Sequence, residues 1–211
     1  MLKEAERQAK NVERSAKVGI GAWVTQRYTR QGLWSLFLMC AFPLHAWTLI
    51  LAFRDISWLT DRTNAWDAVG VTSYGLVFAF VESVVLFGVM VLLGYLVAGK
   101  WEPERRIVLL AVLALMASLW AMIGQLYFLI GTGFPDWVIE LLIRSGHPLR
   151  AMQAGAVVLV SLTVLVPVLL VLHSQRAFAM MRGLIERLSV LTMFYLLLDV
   201  IGLAIVIVRN V

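Results

Sequence analysis

Charge is what this chain has least of. Asp, Glu, Lys and Arg make up 15 % of its 211 residues, against about 25 % in an ordinary soluble domain. That scarcity excludes a charge-rich disordered protein. Cysteine is almost absent as well. Cys40 stands alone, so no intrachain disulfide is possible, and its place inside an apolar run suits a small buried hydrophobe. Five prolines and fifteen glycines without a repeat exclude a collagen-like chain. Catalytic signatures are missing too: there is no GxSxG, HExxH or CxxC. Gly94 to Lys100 spells GxxxxGK, but Trp101 follows where a phosphate loop needs Ser or Thr, and no strand precedes it. The match is read as chance, and an enzyme is the less favoured class.

What is present is hydrocarbon. Apolar residues make up 61 % of the chain, and mean hydropathy is +0.86. A soluble domain holds about 45–50 %. One small core cannot hide that surplus, so lipid must cover it. The composition specifies an all-α, polytopic integral membrane protein. A spanning helix needs about 20 mostly apolar residues, and five stretches qualify: about 33–53, 68–98, 107–130, 151–172 and 188–208. Trp137 to Ile143 is too short to span, and it sits between helix start and stop signals at Pro135-Asp136 and Ser145-Gly146. It reads as a short helix lying at the membrane surface or dipping in. Residues 1–30 form a basic arm, and residues 31–211 the five-span domain. The arm has no short apolar segment before a small-residue cleavage site, so the first span is expected to be an uncleaved anchor.

The arm repeats Leu2, Ala5, Ala9, Val12 and Ala16 at helical spacing, with Glu6–Lys10 and Glu13–Lys17 as i,i+4 pairs. This predicts a basic amphipathic helix, either solvated or docked on a partner or the bilayer surface. Thirteen of the eighteen Lys and Arg residues, including all four lysines, fall on the side of the arm, the second-to-third loop and the fourth-to-fifth loop. The positive-inside rule then predicts a plasma (inner) membrane protein with a cytoplasmic N-terminus and an outside C-terminus. The net charge of +5 is thereby a topology signal, and nucleic acid is not an expected partner. Trp58, Trp66, Trp101 and Trp137 suit interfacial anchors. Residues 54–67 read as a salt-bridged outer loop.

Three ionisable side chains fall close to the centres of their spans: His45, Glu82 and Asp199. Each lies within about 3–5 Å of the midplane at 1.5 Å per residue. A charge there costs at least about 2.5–3.5 kcal/mol on insertion scales, and a carboxyl held in hydrocarbon is cheapest as the neutral acid. The common depth predicts that all three point inward and meet, either as a proton or cation relay or as a packing device. Tyr195, one turn before Asp199, is expected to hydrogen-bond it. Pro43, Thr48, Ser83 and Thr192 are expected to complete a polar pocket. Small residues mark a second pattern. Gly75, Ala79 and Ser83 are spaced by four, as are Ala114 and Ser118, and Ala117 and Ala121. Such faces let helices pack closely in lipid.

No cofactor is expected. His45, His147 and His173 lie at different depths, so two of them cannot ligate one haem. No span holds a lysine for a retinal Schiff base, and no ligand spacing supports a metal. Two functional readings follow. The chain is a non-enzymatic subunit or scaffold of a membrane assembly, a homo- or hetero-oligomer in the bilayer. Alternatively, it is a small proton- or cation-coupled permease or channel using His45, Glu82 and Asp199.

Overall fold

The computed structural model describes residues 28–62, 64–96, 101–131 and 133–211, with the backbone alone over 55–62 and at 129. The expected arm helix and the GxxxxGK segment fall wholly or partly outside those residues. The described chain is helical: α1, Arg30–Arg62; α2, Ala65–Leu96; α3, Pro103–Gly124, running into a wider π turn at Gln125–Leu129; α4, Asp136–Arg144; α5, Pro148–His173; and α6, Gln175–Asn210. Five of these helices are long and apolar enough to cross a membrane. No strand occurs among the described residues. The short α4 is the non-spanning segment expected at Trp137–Ile143. Asp136, Glu140 and Arg144 form its polar stripe, tied by an Arg144–Glu140 pair at 2.6 Å. Gly146 ends it in the left-handed conformation at φ +68.

Two expected loops are helix instead. Residues 54–67 read as a loop because charges interrupt the apolar run, yet α1 continues to Arg62 and α2 begins at Ala65. Likewise α6 begins at Gln175, thirteen residues before the expected start of the fifth span. Hydropathy reports where hydrocarbon ends, not where a helix ends. A helix that leaves the bilayer keeps its backbone bonds whatever its side chains. The break between α5 and α6 is a single residue, Ser174. It is extended at φ −116, ψ 118, and its Oγ accepts the Ala177 amide at 3.3 Å.

α1 is the centre of the bundle and packs against α2, α3 and α6. The largest apolar cluster occupies the half of the bundle that carries Arg30. Leu36, Met39, Cys40, Met90, Ala111 and Val171 are buried there. At that end Arg106 is only 2 % exposed; it lies 5.8 Å from the Tyr28 ring centre and donates to the Trp101 carbonyl at 3.4 Å. α5 is peripheral. Only 6 % of its most apolar stretch is buried, against 44 % for α3. Its link to α3 within the spans is a hydrogen bond from Trp120 Nε1 to Thr163 Oγ1 at 2.8 Å.

The small-residue faces divide. Ala79 and Ser83 are buried, and a Cβ at Gly75 would press on the Thr48 methyl of α1 at 3.2 Å. Ala114 and Ser118 are also buried. Those faces pack within the chain. Ala117 and Ala121, one position round the same α3 helix, are exposed.

Candidate functional site

His45 sits on the central helix two residues after Pro43 and is fully buried. Pro43 lacks an amide hydrogen, which leaves one carbonyl of the preceding turn without its helical donor. The helix nonetheless continues through it. The next turn uses a side chain: His45 Nδ1 lies 2.8 Å from the Ala41 carbonyl oxygen. A carbonyl only accepts, so Nδ1 must carry a hydrogen. The other ring nitrogen, Nε2, faces the Asp199 carboxyl on α6, at 2.8 Å from Oδ2 and 3.0 Å from Oδ1. Asp199 is itself 8 % exposed.

The pair is therefore a clamp between α1 and α6, with both ring nitrogens of His45 hydrogen-bonded.

The remaining expected members do not join it. Tyr195 lies parallel to the His45 ring, with centroids 6.2 Å apart and planes at 12°, and likewise beside Phe42 at 6.2 Å. No hydrogen bond joins it to Asp199, which corrects the expectation of a Tyr195–Asp199 bond. Along one face of α6 a hydroxyl points inward at helical spacing before the carboxyl does, and the stacking ring wedges beside the clamp. Ser83, Thr48 and Thr192 bond carbonyls four residues back in their own helices, at 2.6, 2.9 and 2.8 Å. Short hydroxyls have that local option, so they form no shared pocket.

Glu82 is placed elsewhere. The residue after it, Ser83, faces the bundle, so Glu82 turns about 100° away and is exposed. It makes no hydrogen bond or ion pair among the described residues. It opens into a lateral groove of about 470 Å³ between α1, α2 and α3. Thr48, Gly75, Ser118, Ala121 and Gln125 also line that groove. Gln125 stands at the start of the π turn and accepts a hydrogen bond from Trp47 Nε1. A wider turn of this kind re-aims side chains near its start. Trp47 carries no signal of this role in the sequence.

Neither His45 nor Asp199 lines any of the cavities described between the helices. Among the described residues no three His, Cys, Asp or Glu side chains gather to hold a metal ion. Compared with known protein families, characterised proteins and solved structures, the chain matches none.

Proposed function

We propose that this chain is a non-enzymatic subunit of a membrane assembly, held in the bilayer by its five spans and completed by neighbours along its exposed faces. One observation carries the reading. Glu82 lies near the centre of α2 without a partner among the described residues, in a groove with small residues on its walls. A carboxyl at that depth costs at least about 2.5–3.5 kcal/mol if charged. The bundle leaves it outside its own core, so a neighbour that supplies a donor lowers that cost. The exposed Ala117 and Ala121, and the poorly buried α5, extend the surface open to such contacts. With the positive-inside charge pattern, the arm is assigned to the cytoplasm and Val211 to the outside of a plasma membrane. Native membranes extracted in a mild detergent and resolved on a native gel should carry the chain in a species well above its own 23.6 kDa. A monodisperse monomer without co-purifying partners overturns the proposal.

A second reading rests on the buried His45–Asp199 pair. A hydrogen-bonded acid and base between two spans is a proton-transfer element if water reaches it. Reconstituted in vesicles under a proton gradient, the protein would then conduct, and Asp199→Asn would abolish the flux. Equal flux in both proteins removes that reading.

A further inference from the structure

We infer that the Glu82 groove seats a transmembrane helix of a different polypeptide, and that this helix carries a basic side chain near the middle of the bilayer. The inference deepens the subunit reading and rests on it.

The first argument is depth. α2 runs from Ala65 to Leu96, so Glu82 stands within about 2–3 Å of its centre. A hydrocarbon core supplies neither water nor any other hydrogen-bond partner, so a partner that satisfies or neutralises the carboxyl must come from protein. The second argument is shape. The groove is walled by Gly75 and Ala79 on α2 and by Ser118 and Ala121 on α3. Ala79 and Ser118 are buried in its floor, and the exposed Ala121 on its rim lets another helix approach closely. Gln125 adds a side-chain amide whose oxygen is held by Trp47, so its NH₂ group is left to meet a partner's acceptor.

The third argument is charge, and it selects a different chain over a second copy. Every Arg from Arg30 onward lies outside the five apolar stretches, Arg54 and Arg187 immediately beside them, and no Lys lies inside a described span. Among the described residues the sole base at mid-depth is His45, which is fully buried and committed on both ring nitrogens. Another copy would therefore bring no cation to Glu82, only neutral groups such as the Gln125 amide or a second carboxyl. The complement of a Glu82 carboxylate is a Lys, Arg or His that no described helix of this chain offers at that depth.

The test uses the full chain in phosphatidylcholine–phosphatidylglycerol vesicles and synthetic Leu/Ala-rich transmembrane peptides of about 20 residues. One peptide has a single central Lys, and its control has Leu there. Association is read by energy transfer from labelled peptide to labelled protein. The Lys peptide should associate about tenfold more tightly than the Leu peptide. Glu82→Gln should remove that preference while leaving the unfolding midpoint unchanged, and Ala121→Leu should weaken both peptides by filling the groove. Equal association of the two peptides with the unmodified protein overturns the inference, as does a Lys preference that survives Glu82→Gln. Glu82-dependent energy transfer between two differently labelled copies, without peptide, also overturns it by making a second copy the occupant. The native-gel result separates the two proposals. A large native species without a Lys preference leaves the subunit reading standing alone. A Lys preference in a chain that is monomeric in its own membrane removes the subunit reading instead.

Discussion

Two carboxyl groups at almost the same depth meet opposite fates in this molecule. Asp199 is closed in between α6 and the central helix, and both of its oxygens lie within 3.0 Å of the His45 ring nitrogen. Glu82 lies in the open, without a partner among the described residues. Insertion costs depend on depth, so they treat the two alike. Rotation about the helix axis separates them. Asp199 shares the inward face of α6 with Thr192 and Gly202, whereas on α2 that face belongs to Ser83, leaving Glu82 outside. One acid is a completed internal joint. The other is a half-made external one.

The sharpest way to break this contrast is to remove each acid. Asp199→Ala leaves the His45 Nε2 group buried without a partner and should cost about 2–3 kcal/mol. Asp199→Asn keeps a donor for Nε2 and should cost less than about 1 kcal/mol, within the range of interhelical hydrogen bonds in lipid. Reversible unfolding in mixed micelles reads both; equal losses would show that the clamp depends on charge rather than on hydrogen bonding. Next in size is overpacking of the internal small-residue face. Ala79→Leu forces a large side chain between helices and should cost about 1–3 kcal/mol in the same assay. Its counterpart Ala117→Leu, on the exposed face, should change stability by no more than about 0.5 kcal/mol and act on assembly instead.

A smaller effect is expected where α6 meets the start of α2. Arg209 donates to the Asp67 carboxylate at 2.7 Å and to the Trp66 carbonyl at 2.6 Å, and its guanidinium lies 5.8 Å from the Trp66 ring centre. It reaches them across Gly70, where any Cβ would collide with the guanidinium. Gly70→Ala should displace Arg209 and cost about 0.5–1 kcal/mol, modest because the ion pair is partly exposed. High salt should shrink the difference between the two proteins. Smallest of all is Glu82→Gln, which should leave unfolding within about 0.5 kcal/mol. A large loss there would mean that Glu82 belongs to the internal packing after all.

Much of the fold is written in the one-dimensional pattern. Five runs of Leu, Val, Ile and Ala, each long enough to cross hydrocarbon, mark the five spanning helices. Their centres place His45, Glu82 and Asp199 near the midplane. The amphipathic segment at Trp137–Ile143 is equally plain, because its charges recur every fourth residue. The facing of side chains is not plain. A helix apolar on all sides has no stripe to mark its inner face. Hence Ala114 and Ala117 look alike in sequence, but the first is buried and the second exposed. Links are obscured for a different reason. Charged residues at 54–62 and 175–187 interrupt the apolar runs without interrupting the helices.

From residue order alone follows the number of helices apolar enough to cross a membrane, because it depends on the transfer of successive side chains from water to hydrocarbon. Tertiary structure alone decided partnership. Whether an acid meets a histidine or an open groove depends on how each helix is turned about its axis, and that rotation is set by the fit of α1 against α2, α3 and α6. Lipid, being equally apolar on every side, offers no preference of its own.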